Sequence, residues 1–277
     1  MAVARVGISG WRYAPWRGHF YPPGLPQRAE LGYAAKRLTA IEINGTFYSL
    51  QRPSSFTSWR EATPDGFQFA VKGGRFITHL KRLLDVDTAL ANFFASGLLA
   101  LEGKLGPILW QLPATLPFEL ERLRDFLRQL PQDTAAAAEL ATRHDHRVAP
   151  DRAVTTVDAN RPIRHALEPR HPGFTDPRAL ELLAEHGVAA VLADAAGDWP
   201  VIDEVTADFC YLRLHGATEL YSSGYPPEEL DRWAARITAR LDQGLDVYAF
   251  FDNDAKVHAP FDAQALIDRL PQPGAGA

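Results

Sequence analysis

Charged and polar side chains interrupt short apolar segments of the sequence in a regular alternation. In the segment TAIEIN, residues 39–44, Glu42 and Asn44 alternate with Ile41 and Ile43. Because the side chains of a strand point to opposite faces in turn, the carboxylate and the amide share the face away from the two isoleucines. Burying such groups without partners costs several kcal/mol, roughly 2–7 for a neutral polar group and more for a charge. The two residues therefore either have structural partners or face a cavity that a ligand enters.

Other strand-like segments repeat this pattern, and their polar residues could form one site. The residues expected on the shared face are Glu42, Asn44, Gln68, Lys72, Gln111, Glu168, Arg170, Tyr211, Arg213 and His215. Two carboxylates near cations can have pKa values that are pushed apart, which allows one to act as an acid and the other as a base. We predict Glu42 and Glu168 as this catalytic pair and His215 as a proton shuttle. The alternative is that both glutamates are structural ion-pair partners of Lys72 or Arg213.

The same face carries groups that could hold a substrate. A guanidinium binds a phosphate or carboxylate through a two-pronged hydrogen bond, and an ammonium binds it as a point charge. Amides could orient hydroxyl groups, and aromatic and basic side chains in the neighbouring loops would line the mouth of the site. The predicted substrate-binding residues are Asn44, Lys72, Gln111, Arg170, Arg213, Asn253, Trp11 and His79. This set predicts an enzyme that acts on a small anionic or sugar-like metabolite without a cofactor.

Two further functions fit the same residues. In the first, a divalent metal would assist the hydrolysis of a phosphoester, with nucleic acid as one candidate substrate. The ligands of that metal would be Glu42, Glu168, Asp194 and His215. Lys72 and Arg213 would repel a cation at the same place, so we predict no metal ligand. In the second, the protein would bind an anion without catalysis.

Eight β-rich segments, separated by helical patterns, must position these residues. They are ARVGIS (4–9), TAIEIN (39–44), FQFAVK (67–72), PILWQL (107–112), IRHALE (163–168), VAAVLA (188–193), DFCYLRLH (208–215) and DVYAFF (246–251). Helical patterns are expected over residues 27–37, 85–101, 118–130, 134–143, 176–187 and 226–244. This alternation predicts an α/β fold, a TIM-type (β/α)₈ barrel in a single domain. A doubly wound open sheet is the alternative, but the sequence lacks the Gly-rich phosphate loop that would favour it.

Three segments do not belong to the regular alternation. Residues 111–164 are longer than one barrel unit needs, so we expect a helical excursion inserted between strands 4 and 5. The segment SGWRYAPWRGHFYPPGLP, residues 9–26, contains Trp11 and is expected to be either a lid that forms a ligand wall or a plug over the barrel mouth. The barrel domain is predicted over residues 1–271, and the tail 272–277 is predicted to be disordered.

The composition is that of an ordinary globular protein. The 277 residues are 46% hydrophobic and carry a formal net charge of −5, which does not favour nonspecific binding to polyanions. With Cys210 as its single cysteine, the chain can form no intrachain disulfide. The sequence contains neither a signal-peptide pattern nor an apolar run of membrane-spanning length, so we expect a cytoplasmic protein without a membrane partner. The sequence does not indicate an oligomeric state.

Long motifs across nearly the whole chain carry a family resemblance. They are GISGWRYAPWRGHFYPPGLP, AIEINGTFYSLQRPSSFTSWREATPDGFQFAVKGGRFITHLKRL, KLGPILWQLPATL, HALEPRHPGF, TADFCYLRLHG, LYSSGY and AFFDNDAKVHAPFDA. The sequence resembles the YecE-like family, also called domain of unknown function 72. The resemblance implies a TIM-barrel fold and no established activity. The polar positions of the family's motifs fall on Glu42, Asn44, Thr46, Tyr48, Lys72, Thr78, His79, Gln111, Glu168, Arg170, His171, Arg213, His215, Asn253 and Asp254.

Overall fold

A closed barrel of eight parallel strands forms the centre of the computed structural model, which describes residues 1–271. The strands pair in sequence order, and the first strand also pairs with the last. They are β1 (Ala4–Ser9), β2 (Ala40–Ile43), β3 (Gln68–Lys72), β4 (Leu105–Gln111), β5 (His165–Glu168), β6 (Val188–Asp194), β7 (Phe209–Leu214) and β8 (Asp246–Phe251). Each predicted segment overlaps one of these strands, so the predicted TIM-type (β/α)₈ barrel is confirmed.

Helices cover the outside of the barrel. The α-helices are α1 (Glu30–Ala35), α2 (Gly45–Tyr48), α3 (Pro53–Glu61), α4 (Asp87–Ala95), α5 (Leu120–Arg128), α6 (Thr134–Ala141), α7 (Pro177–Glu185), α8 (Pro227–Asp242) and α9 (Ala259–Ile267). The helix predicted over residues 85–101 ends early, at Ala95, and Gly97 follows with a left-handed φ of 117°. A Cβ atom at Gly97 would lie 2.6 Å from the Cα atom of Pro53, so only glycine fits this close approach.

The boundaries of α7 illustrate how the sequence determines where helices begin and end. A carboxylate oxygen of Asp176 accepts a hydrogen bond from the backbone N–H of Arg178 at 2.9 Å. Pro177 occupies the first helical position, where its missing N–H has no intrahelical partner to lose. Gly187 follows the helix with a φ of 61°, a conformation that costs glycine little. The helical pattern expected over residues 176–187 is therefore confirmed, with the helix itself at Pro177–Glu185.

The connection between β4 and β5 contains the expected helical excursion. Within it, α5 buries Leu123 and Phe126. Asp133 caps the start of α6, since its carboxylate accepts a hydrogen bond from the backbone N–H of Ala136 at 2.8 Å. The tail predicted to be disordered, residues 272–277, lies outside the described part of the chain. Within residues 1–271, no helix combines the length and the apolar composition needed to cross a membrane.

The alternation of side chains along the strands follows the predicted pattern. In β2, Ile41 and Ile43 belong to the cluster that packs between the barrel and the helices, while Glu42 reaches the barrel interior. Cys210 in β7 packs against the same outer cluster. The interior of the barrel is filled by a second cluster, Ala40, Ala70, Leu109, Ala166, Ala189, Val191, Phe209, Tyr211, Tyr248 and Phe250.

The aromatic segment after β1 forms a packed wall beside the barrel mouth. Trp16 and Tyr21 are fully buried, and both belong to the outer cluster. The indole N–H of Trp16 donates to the backbone oxygen of Asp254 at 3.2 Å, which ties this segment to the end of β8. The hydroxyl of Tyr21 donates to the backbone oxygen of Trp11 at 2.7 Å. The aromatic side chains are therefore mainly core residues of the loop itself.

Candidate ligand-binding site at the barrel mouth

Polar side chains replace apolar ones at the carboxyl ends of six strands. The successive inward residues are Ala40 and Glu42, Ala70 and Lys72, Leu109 and Gln111, Ala166 and Glu168, Tyr211 and Arg213, and Phe250 and Asp252. Because strand side chains alternate with a period of two, each pair shares the inward face, and its second member lies closer to the mouth. The polar residues at this level are called here the floor cluster, which consists of Ser9, Glu42, Lys72, Gln111, Glu168, Arg213, His215 and Asp252.

Arg213 is the centre of the floor cluster. Its Nη2 atom lies 2.8 Å from Oε1 of Glu42 and 2.9 Å from Oδ2 of Asp252, and its Nη1 atom lies 2.7 Å from Oε2 of Glu168. Nη2 also donates to the hydroxyl of Ser9 at 3.0 Å. Burial acts to lower the pKa of the guanidinium, but the carboxylates outweigh it and raise that pKa well above its ordinary value. One arginine thus holds three carboxylates from three different strands.

The two glutamates have further partners that complete their hydrogen bonding. Glu42 accepts a hydrogen bond from the hydroxyl of Tyr211 at 2.7 Å. Glu168 accepts one from Nε of Arg170 at 2.9 Å. Burial alone would raise the pKa of Glu168, but Arg213 and Arg170 lower it from 4.5 to about 2. Glu168 is therefore a carboxylate at neutral pH, and the arrangement is that of an ion-pair network.

His215 lies between two carboxylates of the network. Its Nδ1 atom is 3.1 Å from Oδ2 of Asp252, and its Nε2 atom is 3.8 Å from Oε1 of Glu168. Neither ring nitrogen makes a well-aligned hydrogen bond to any part of the chain that the structure describes. The rings of Trp199 and Tyr221 pack edge-on against the imidazole, with centroids 5.0 and 5.4 Å away, and the histidine is fully buried. His215 is therefore closed off from the mouth by two loop aromatics.

Lys72 differs from the other cations of the floor cluster. No carboxylate among residues 1–271 forms an ion pair with its ammonium, which lies over the ring of Phe47, 4.6 Å from the ring centroid. The residue is 8% exposed. Burial, and then the positive charge of Arg213, lower the pKa of Lys72 from 10.5 to about 8. Lys72 is thus a cation without a direct ion-pair partner at the edge of the site, and Glu42, Asp252 and Glu168 act on its charge only at longer range.

The amides and the imidazole at the rim contact one another. Nε2 of Gln111 lies 3.5 Å from Nε2 of His79, and it donates to the backbone oxygen of Leu112 at 3.1 Å. Nδ1 of His79 lies 2.9 Å from the hydroxyl of Thr78. Partial burial, and then the charge of Lys72, lower the pKa of His79 below 6.5, so its imidazole is neutral at pH 7. These groups can exchange hydrogen bonds with a polar ligand.

Two further rim residues leave hydrogen-bonding atoms available. Nδ2 of Asn44 donates to the hydroxyl of Ser9 at 2.9 Å, whereas its Oδ1 atom is buried without a partner among the described residues. Arg170 stacks on Trp199, with Cζ 3.5 Å from the ring centroid, and its side chain is 15% exposed. Only its Nε atom pairs with Glu168. The amide oxygen of Asn44 and the terminal nitrogens of Arg170 are therefore without a hydrogen-bond partner in the part of the chain that the structure describes.

Two of the predicted substrate-binding residues lie away from this arrangement. Nδ2 of Asn253 donates to the backbone oxygen of Ser223 at 2.9 Å and to Asp262 at 2.8 Å, and the residue is fully buried. Trp11 packs edge-on against Trp59, with ring centroids 5.2 Å apart. Asn253 lies outside the floor cluster, because the side chains of β8 alternate and the inward position falls one residue earlier, at Asp252. Trp11 instead borders a shallow side pocket of about 260 Å³ next to Asn44.

The residues considered as metal ligands do not converge. Glu42 and Glu168 both face the guanidinium of Arg213, and Asp194 accepts a hydrogen bond from the hydroxyl of Tyr225 at 3.0 Å. Among the residues that the structure describes, no group of three or more His, Cys, Asp or Glu side chains has the geometry to hold a metal ion. An arginine between the carboxylates occupies the place that a divalent cation would need, so these residues do not fit such a site.

Sequence reasoning missed several residues of the site. Asp252 and Ser9 follow Phe250 and Gly7 at the strand period, so extending the alternation by one step would have found both. Trp199 and Tyr221 come from loops, and no periodic signal marks them. A groove of about 590 Å³ beside the mouth was also not expected; Phe47 lines it on the side of Lys72.

Comparison with known proteins agrees with the sequence resemblance. The family described as "Protein of unknown function DUF72" matches residues 5–276. The UPF0759 protein YecE of Escherichia coli strain K12 is 32% identical over 127 residues, which is 46% of this chain and 44% of that protein. The matched part therefore spans less than half the length of this curated relative.

Two solved structures share the whole fold. A DUF72 family protein from Thermotoga maritima MSB8 is 24% identical with a TM-score of 0.75, and the match covers 96% of this chain and 98% of that one. A DUF72 family protein from Enterococcus faecalis V583 is 16% identical with a TM-score of 0.73, over 97% and 95% of the two chains. At these identities the likeness concerns the fold alone. The family match over nearly all of the sequence confirms the resemblance, and the chain belongs to the DUF72 family of proteins of unknown function.

Proposed function

We propose that the barrel mouth binds a small anionic metabolite and that Lys72 and Arg170 contact its negatively charged group. The observation that carries this proposal is the ammonium of Lys72. Arg213 pairs with three carboxylates, whereas Lys72 has no ion-pair partner within residues 1–271. A buried charge without a partner is unfavourable, and a bound anion would supply that partner.

Arg170 supports the same ligand chemistry. Its Nε atom is bound to Glu168, and its terminal nitrogens donate no hydrogen bond to the part of the chain described by the structure. Stacking on Trp199 holds the planar guanidinium in one orientation. A fixed guanidinium edge matches the paired oxygens of a phosphate or carboxylate. Asn44 and Gln111 at the rim could then orient hydroxyl groups of a sugar-like ligand.

The geometry favours the ion-pair alternative for Glu42 and Glu168 over the catalytic one. A general acid or base works best when its pKa lies near the working pH. Arg213 and Arg170 lower the pKa of Glu168 to about 2, far from neutral pH. Both glutamates are fully buried and bound to Arg213. In this proposal the two carboxylates position Arg213 and balance the charge beneath the ligand.

Calorimetric titration with inorganic phosphate tests the proposal. We expect the wild-type protein to bind phosphate at pH 7 and the Lys72→Met variant to lose at least about tenfold in affinity, or 1.4 kcal/mol. The matched control is Lys36→Met, which removes an exposed lysine that follows α1 and should leave binding unchanged. Arg170→Met should also weaken binding.

The pH dependence of the same titration has a definite sign. Phosphate is mainly a dianion above about pH 7, whereas Lys72 loses its proton as the pH rises through about 8. We therefore expect the affinity to fall from pH 7 to pH 9. Equal affinity in the wild type and Lys72→Met, or no binding by the wild type, would contradict the proposal.

A further inference from the structure

We infer that Lys72 is a nucleophilic amine that forms an imine with an aldehyde or ketone group of the ligand. This inference rests on the proposed function, because it assigns a chemical class to the ligand of the same mouth. It adds a carbonyl group to the anionic group already proposed. It also makes the protein an enzyme whose intermediate is covalent.

The first support is the surroundings of the amine. The ammonium of Lys72 has an aromatic ring, that of Phe47, as its near neighbour and no carboxylate partner in the described chain. Lysines become nucleophilic when an apolar wall or a second cation disfavours their charged form. Here both conditions are met, since Arg213 shares the floor with Lys72. Each of the other cations of the site, Arg213 and Arg170, is bound to a carboxylate.

The second support is the supply of neutral amine at physiological pH. With a pKa of about 8, roughly a tenth of Lys72 is unprotonated at pH 7, compared with less than about a thousandth of an ordinary lysine. The charges that act on it are Arg213, which lowers this pKa, and Glu42, Asp252 and Glu168, which raise it. The carboxylates limit the shift, so the amine is both available and able to attract an anionic ligand in its protonated form.

The third support is the rigidity of the backbone that carries the amine. The hydroxyl of Thr46 donates to the backbone oxygen of Lys72 at 2.7 Å. The next residue, Gly73, donates its N–H to the backbone oxygen of Leu109 at 2.8 Å. A Cβ atom at Gly73 would lie 2.3 Å from the ring of Trp110, so the strand end is closely packed at this point. A nucleophile on a fixed strand end keeps its distance to a bound carbonyl group.

The fourth support is access from outside. Phe47 contacts the amine on one side and lines the groove of about 590 Å³ on the other. Tyr48 and Arg75 line the same groove, which offers both an aromatic wall and a positive charge to a ligand approaching the mouth. The ring of Phe47 is therefore the side chain that lies between the groove and the amine of Lys72.

The reaction balances without any other reactant. The nitrogen lone pair of the neutral amine forms a bond to the carbonyl carbon, and one proton passes from that nitrogen to the carbonyl oxygen to give a carbinolamine. That hydroxyl then leaves as water with one further proton, and the nitrogen and carbon form the double bond. His79 can relay these protons at the rim. Its imidazole is neutral because burial and the charge of Lys72 lower its pKa. A protonated imine replaces a protonated amine, so the net charge above the three carboxylates is unchanged.

Reductive trapping tests the inference on the full chain. Glyoxylate, which carries an aldehyde and a carboxylate, is added with sodium cyanoborohydride, and the modified peptides are mapped by mass spectrometry. We expect labelling of Lys72 to be at least about tenfold faster than that of the other lysines, as its larger neutral fraction requires. Lys36, Lys81, Lys104 and Lys256 are the internal controls. Labelling of Lys72 should also accelerate as the pH rises from 6 toward its pKa of about 8.

Two variants and a competitor separate the possible failures. Lys72→Arg keeps the positive charge, so it should retain phosphate binding but form no adduct at this position. Labelling spread over the five lysines according to their exposure would overturn the inference. Phosphate binding that requires Lys72, without an adduct there, would overturn the imine and leave the proposed anion site standing. A Lys72 adduct that inorganic phosphate does not slow would uphold the imine and contradict the anion site.

Discussion

The interior of this barrel consists of two layers formed by the same strands. The lower layer is mainly apolar, and the upper layer is polar and charged. The lower layer contains Ala40, Ala70, Leu109, Ala166, Tyr211 and Phe250, and the upper layer contains the residues two positions later in each strand. Both layers are buried. The alternation along each strand therefore determines whether a side chain points inward. The position of that side chain along the barrel axis corresponds to whether it is apolar or polar.

The two layers stabilise the protein by different means. Apolar side chains in the lower layer gain about 25 cal/mol for each Å² of surface that they bury. The upper layer must first remove charged groups from water, and ion pairs with good geometry offset that cost. The lower layer is therefore most sensitive to a cavity, and the ion pairs around Arg213 in the upper layer are most sensitive to the loss of a partner.

The largest expected loss of stability follows the removal of the central cation, Arg213. Arg213→Met leaves Glu42, Glu168 and Asp252 buried without their shared partner. Breaking buried ion pairs in this way costs about 3–5 kcal/mol, and the loss of several pairs should place the variant at the upper end. Urea unfolding at pH 7 measures the change in the free energy of unfolding.

Leu109→Ala in the lower layer is the matched control for that variant. Leu109 is fully buried, and its truncation should cost about 2–5 kcal/mol through lost burial and a new cavity. This cost should be the same at pH 7 and pH 4. The loss in the free energy of unfolding caused by Arg213→Met should be smaller at pH 4, because protonation neutralises the carboxylates that have lost their partner. Equal pH dependence in the two variants would contradict the distinction between the layers.

The next largest effect is the acid sensitivity of the upper layer. The pKa of Glu168 is about 2 in the folded protein and 4.5 without that environment. The unfolded chain therefore binds more protons between these values, and stability is lost as the pH falls from about 4.5 to about 2. The full loss from this one group is about 3 kcal/mol. The Glu168→Gln variant should therefore show a weaker pH dependence of the free energy of unfolding in this range, which circular dichroism can follow. The same pH dependence in the variant and the wild type would argue against the ion pairing.

The smallest expected effect on the free energy of unfolding is a stabilisation, whereas the preceding variants are destabilised. Lys72→Met removes a cation that burial and Arg213 disfavour, so the variant should be as stable as the wild type at pH 7 or more stable by about 1 kcal/mol. The folded pKa of about 8 lies below the unfolded value of 10.5, so the wild type gains stability as the pH rises from 8 to 10.5. The difference between the two proteins should therefore narrow at pH 10. A clear destabilisation at pH 7 would make Lys72 a structural residue.

The sequence predicts most of this barrel because its strongest signals are local. Alternation in TAIEIN and DFCYLRLH determines which residues face inward, and Asp176, Pro177 and Gly187 determine where one helix begins and ends. The same alternation, continued past Phe250, would have favoured Asp252 over Asn253 for the floor. The helices α3 and α9 were not predicted, since their apolar periodicity is short.

The pairing within the floor could not be predicted, because it depends on contacts between distant parts of the chain. Arg213 and Glu42 are 171 positions apart, and their sequence neighbourhoods do not show whether the two residues bind each other or a ligand. Trp199 and Tyr221, which cover His215, come from loops whose conformation follows from packing rather than from periodicity. Local patterns thus locate a site more readily than they assign its partners.

The distance between Glu42 and Arg213 along the chain has a consequence for the newly made protein. At a synthesis rate of roughly 5–20 residues per second, Glu42 leaves the ribosome about 10–35 seconds before Arg213 does. During that interval its carboxylate has no cation to meet across the barrel, and β1 has no β8 to pair with. The amino-terminal strands therefore lack these two partners until β7 and β8 have been synthesised. A ribosome that stalls before β7 would release a product that cannot close.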